Sequence, residues 1–99
     1  MRFEGRRSQV GNIVTYGEEN KILPLFTDLV NHSPDGFEWG YGGSGPSQLA
    51  FAIIYQETGN LKTARNCYQQ FKREIIQNFK HDSWVLREGV VDEWLSELR

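Results

Sequence analysis

The stretch "SQLAFAIIY", Ser47 to Tyr55, is apolar on almost every side. A helix of that composition has no face to turn to water, so it belongs in the middle of the fold with other elements around it. The chain of 99 residues holds one domain, 1–99, with one modest core. Just upstream, Pro46 suits the first turn of the helix, where its missing N–H would be unpaired anyway, and Ser44 or Gly45 are candidate caps. Gly59 ends the helix, and Asn60 is placed to cap the next one.

In that next helix Leu61, Ala64, Tyr68, Phe71, Ile75 and Phe79 recur at steps of three and four, an amphipathic pattern. Its other side carries Lys62, Arg65, Lys72 and Arg73 against one acid, Glu74. "HDSW", 81–84, interrupts the pattern, and His81 reads as an exposed helix end whose charge suits the dipole. A final short helix from about Glu88 to Leu98 buries Val91, Trp94, Leu95 and Leu98 and exposes Asp92, Glu93 and Glu97.

The first third has the composition of strands and turns. "MRFEGRR" and "NIVTYG" are short β-type segments separated by "SQVG", which makes a hairpin the natural reading, and "GEEN" is a polar turn. In "KILPLF", Pro24 removes a backbone donor, so the segment is an edge strand or an irregular apolar crossing. "NHSPDG" has turn chemistry, and after it Phe37, Trp39 and Tyr41 alternate with Glu38 and Gly40. That alternation predicts three rings on one side of an extended segment, facing either the core or a ligand. The fold class is α+β: a small N-terminal antiparallel sheet or hairpin packed against about three helices.

Composition removes several functions. Eleven basic and thirteen acidic residues give a formal charge of -2, which excludes the strongly basic balance of a general nucleic-acid binder and is too small for a DNA mimic. The single cysteine, Cys67, forms no internal disulfide, and no stretch approaches the roughly 18 apolar residues of a membrane span. A cytoplasmic location is expected. No repeat or low-complexity linker interrupts the chain.

The glycine-rich entry, "GYGGSGP", invites a chemical reading. A helix N-terminus has unpaired N–H groups and a positive dipole end, and glycines let an anion approach. Trp39, Tyr41, Gly42, Gly43, Ser44 and Gly45 are then the candidate ligand-binding residues. The stretch lacks the Lys-Ser/Thr ending of a P-loop, and its G-x-G-x-x-G spacing at Gly40, Gly42 and Gly45 has no βαβ unit around it. The other reading is structural: the glycines let backbone pack closely while Pro46 and Ser47 start the helix. Ser44 does not reproduce a nucleophile elbow, and His32 near Asp28, Asp35 and Glu38 has no second histidine at ligand spacing. No catalytic residue, metal or cofactor is expected.

On "NHSPDGFEWGYGGSGPSQLA", "YQQFK" and the later Trp84, the chain resembles a family of small uncharacterised bacterial and phage proteins classed as a domain of unknown function. The shared core there reads close to H-S-P-x-G-F-E-W-G-Y-G-G-S-G-P-A-Q-L-A, with Ala where this chain has Ser47. The resemblance covers most of the chain and implies a shared fold and a bacterial or mobile-element origin. It carries no activity and no catalytic residues.

The expected function is therefore that of a non-enzymatic accessory protein of a phage or mobile element, binding and antagonising a host defence component such as a CRISPR effector. The candidate partner-binding residues are Lys62, Arg65, Lys72 and Arg73, or the acidic end at Asp92, Glu93 and Glu97. The alternative is a small-molecule binder, with an anion on the loop and a base stacked on Trp39 or Tyr41. Nucleic acid on the basic side, with Tyr16, Trp39 and Tyr41 stacking beside it, is a weaker reading. Homo-oligomerisation through the last helix would give its tryptophan cover.

Overall fold

The computed structural model describes residues 1–98. Its central element is helix α1, Ser44–Thr58, buried at every residue from Gly45 to Ile54. Extended Gly43 is the N-cap and supplies no side-chain cap; its carbonyl accepts from the Ser47 N–H at 3.0 Å. Ser44 and Gly45, the expected caps, are thus the first two helical residues, and Pro46 is the third. No intrahelical donor is lost there, because the first turn has no partners for its N–H groups. Gly59 closes the helix with φ +64°, its N–H on the Tyr55 carbonyl.

Asn60 caps helix α2, Leu61–Glu74, its side chain accepting from the Thr63 N–H at 2.9 Å. α2 stops earlier than the apolar spacing predicts. A 3₁₀ turn, Ile76–Asn78, follows, and Asn78 Nδ2 donates to the Glu74 carbonyl at 2.8 Å, satisfying one of the terminal acceptors. Phe79 therefore lies beyond the helix, and the fully buried residue in this region is Ile76. His81 is not a helix end either; its carbonyl accepts from the Trp39 indole N–H at 3.0 Å.

Strands β1, Phe3–Ser8, and β2, Gly11–Tyr16, form the expected hairpin, with Gly11 at φ +125° after the turn. β3 is only Lys21–Ile22, an edge pairing that ends two residues before Pro24. A fourth strand, β4, Ser83–Leu86, pairs with the other side of β1, so the antiparallel order is β3-β2-β1-β4. The expected hairpin is thus part of a four-stranded sheet. α3, Val90–Ser96, follows, with Val91 buried and Asp92, Glu93 and Glu97 exposed.

Phe3, Val14, Trp84 and Leu86 from the sheet join Leu49, Phe51, Ile53 and Ile54 of α1, Phe71 of α2 and Val91 in one core. The irregular stretch from 23 to 43 has no ladder to tie it down. Gln48, fully buried in α1, does that instead: its Oε1 accepts from His32 N–H (2.7 Å) and Ser33 N–H (3.1 Å), and its Nε2 donates to the carbonyls of Leu25 (2.6 Å) and Val30 (2.8 Å).

Candidate functional site

The three rings expected on one side divide. Phe37 and Trp39 are buried, whereas Tyr41 is 51% exposed. Gly40 causes the change: at φ +88° it turns the chain, so Tyr41 leaves the plane that the alternation assumed. Trp39 does not offer a stacking face. Its ring meets Trp84 edge to face at 5.6 Å, and the Arg7 guanidinium lies 4.5 Å from its centroid. The reading of Trp39 as a platform for a base is corrected accordingly; the indole is core.

The glycines beside it are set by close approach. A Cβ on Gly40 would come 2.9 Å from the Phe79 carbonyl oxygen, and one on Gly45 would come 2.6 Å from Glu38 Cβ. Gly42 and Gly43 face the ends of Gln77 and of the Tyr41 ring. Ser44 is exposed at the start of α1, and His32 holds its Nε2 2.7 Å from the Tyr68 hydroxyl. Among the described residues no group of His, Cys, Asp and Glu is arranged to hold a metal ion.

Arg7 gathers the surroundings of this loop. Its Nη2 donates to Glu38 Oε1 (2.8 Å) and the Trp39 carbonyl (3.2 Å), and its Nη1 reaches Asp82 Oδ1 and the His81 carbonyl at 3.4 Å each. Burial pushes the Glu38 carboxyl up, but the bonds from Arg7, Asn12 and the Trp39 N–H outweigh it and hold Glu38 below its ordinary value. With both terminal nitrogens bonded to protein groups, Arg7 joins strand, loop and the approach to β4. Sequence reading missed Arg7 and Gln48; only Gln48 left a trace, as a long polar side chain directly before the apolar run "LAFAIIY", where burial requires it to be hydrogen-bonded.

The second candidate site is the basic side of α2. At 3.6 residues per turn, Lys62, Arg65, Lys72 and Arg73 fall within an arc of about 100°. Lys62, Arg65 and Arg73 are exposed and Lys72 is half-buried. None of the four makes a salt bridge among the described residues. Arg65 donates to the Leu29 carbonyl at 3.2 Å, which fixes one cation against the irregular stretch. Glu74 is turned elsewhere: it accepts from Gln70 Nε2 (2.9 Å) and the Trp94 indole N–H (2.8 Å), and these bonds lower its pKa. The structure therefore brings the four predicted partner-binding residues together on one helix side.

These features define a small α+β protein built round a buried helix, with a close-packed glycine entry and a cationic helix side that makes no salt bridge among the described residues. The chain belongs to the family described as "Family of unknown function (DUF6166)", whose model matches residues 3–97. No curated protein and no solved structure matches it. Among the described residues no helix is long and apolar enough to cross a membrane.

Proposed function

We propose that this chain is a non-enzymatic binding protein whose contact surface is the basic side of α2, directed at an acidic surface of a protein partner. The observation that carries the reading is the set of four cations on one arc, unanswered by carboxylates among the described residues. Such a set on a rigid helix keeps its potential available for steering and docking. The finer proposal follows the family resemblance: an accessory protein of a bacterial phage or mobile element that acts in the cytoplasm on a host defence component such as a CRISPR effector. A formal charge of -2 and the burial of Trp39 weigh against nucleic acid on the same side.

A tagged chain passed through lysate of a host carrying such a defence system tests both levels. The expected result is a stoichiometric defence component whose affinity falls at least about tenfold when Lys62, Arg65, Lys72 and Arg73 are all changed to Glu. Recovery of no stoichiometric partner, or binding indifferent to the reversal, overturns the reading. The alternative, an anion on the first turn of α1, draws on the missing side-chain cap at Gly43 and on exposed Tyr41. A nucleotide-like mass released in native mass spectrometry would favour it.

A further inference from the structure

The outer side of the sheet carries a pattern that neither the core nor α2 uses. By register, one row across the strands is Ile22, Thr15, Glu4 and Val85, and the next is Ile13, Arg6 and Ser83. These side chains share a face because cross-strand partners point the same way. Ile22 is 68% and Val85 49% exposed. Over the middle of the rows lies a depression of about 650 Å³, lined among others by Glu4, Arg6, Ile13, Thr15 and Val85.

We infer that this face packs on the same face of a second copy of the chain, with the two β1 strands antiparallel about a two-fold axis passing over Gly5. The charges are self-complementary in that arrangement alone among the simple ones. Glu4 and Arg6 stand on the same side of β1, about 7 Å apart. An axis across the strands at Gly5 sets Glu4 on Arg6 of the second copy, Arg6 on its Glu4, and Thr15 on its Ile13. An axis along the strands instead sets Glu4 on Glu4 and Arg6 on Arg6, which is repulsive.

Arg6 makes no salt bridge among the described residues, whereas Glu4 already holds Arg2 at 2.5 Å. The antiparallel pairing gives the free cation its counter-charge and sets Glu4 between two guanidinium groups. Shifting the axis to Phe3 would match Arg2 with Glu4 but leave Arg6 unanswered. It would also leave the central depression, since Arg2 lines a different hollow, with Glu18 and Glu88.

Strands of six, six, two and four residues, about 4.8 Å apart, present a face of roughly 300 Å² per copy, against the roughly 800 Å² per partner of a standard stable interface. The dimer is accordingly weak and reversible, with a Kd on the order of 100 μM. Sedimentation equilibrium of the full chain from about 10 μM to about 1 mM brackets that value. The expected result is a monomer–dimer equilibrium that Arg6→Glu weakens about tenfold and that Glu4→Arg combined with Arg6→Glu brings back to within about fivefold. Reversing the four cations of α2 should leave it unchanged. A monomer throughout the range, association indifferent to Arg6→Glu, failure of the charge swap to restore it, or loss of the dimer on reversing α2 would each overturn the inference.

Discussion

Gln48 shows how one side chain substitutes for a missing ladder. A carboxamide has two donors and an acceptor with two lone pairs, and all are used on backbone groups of Leu25, Val30, His32 and Ser33. Gln48→Leu keeps the volume but strands those groups, and urea unfolding should report a loss of about 3–5 kcal/mol. Gln48→Glu should be nearly as damaging at neutral pH, because a carboxylate can accept the two N–H groups but faces two carbonyls with no donor. Glu57 is a different case. Its side chain is nine-tenths buried with Oε1 3.3 Å from the Met1 amino group, an ion pair without hydrogen-bond geometry. Burial raises its pKa, and Asp92 adds to that against the opposing Met1 amino group. A carboxyl raised in the folded state binds its proton more tightly there than in the unfolded chain. Its stabilising contribution is therefore complete below the ordinary value of 4.5 and is lost as pH rises through the folded value. Glu57→Gln should then gain on the parent as pH climbs from 4 to 7, read as a widening gap in urea midpoints; a constant gap would contradict the raised pKa.

The entry of α1 is governed by contact between elements, and its glycines are testable as such. Gly45→Ala sets a Cβ 2.6 Å from Glu38 Cβ and 3.1 Å from its backbone nitrogen, so thermal unfolding should show a loss of about 1–3 kcal/mol. An unperturbed Tm would mean that the loop has room, and would return weight to its reading as an anion site. Asn60→Ala should cost about 1 kcal/mol through the N-cap of α2. The cap was legible in the sequence because capping is decided within a few residues, as were the αL stop at Gly59 and the hairpin of β1 and β2. β4 was not. Its four residues pair with Phe3 to Arg6 at the other end of the chain, and a strand that short has too little local alternation to stand out beside "HDSW". Tyr41 was misplaced for a related reason: strict alternation holds only for extended backbone, and Gly40 leaves it. α2 ends at Glu74 although the apolar spacing runs on, since a 3₁₀ turn keeps Ile76 in the core at a different angle.

At the scale of the whole molecule, a formal charge of -2 conceals a separation of charge. α2 carries Lys62, Arg65, Lys72 and Arg73 on one side, while Glu88, Asp92, Glu93 and Glu97 are exposed at and just before α3. The grouping of the cations was legible from helical spacing, because every turn of a helix repeats the same geometry. That they make no salt bridge among the described residues was not, since the Glu74 carboxylate takes its hydrogen bonds from Gln70 and Trp94. The consequence is kinetic. Exposed charges act over a Debye length of about 10 Å at 0.1 M salt and about 4 Å at 0.5 M, so a partner steered by α2 should associate about tenfold more slowly at the higher salt while its dissociation changes little. Surface plasmon resonance at the two salts reads both rates. Changing Asp92, Glu93 and Glu97 together to Lys separates this from a general charge effect: an acidic partner approaching α2 then meets less repulsion from α3, and its association rate should hold or rise. A fall would place the contact on the acids of α3 and reverse the polarity of the proposed partner, because removing charge that repels a ligand cannot slow its approach.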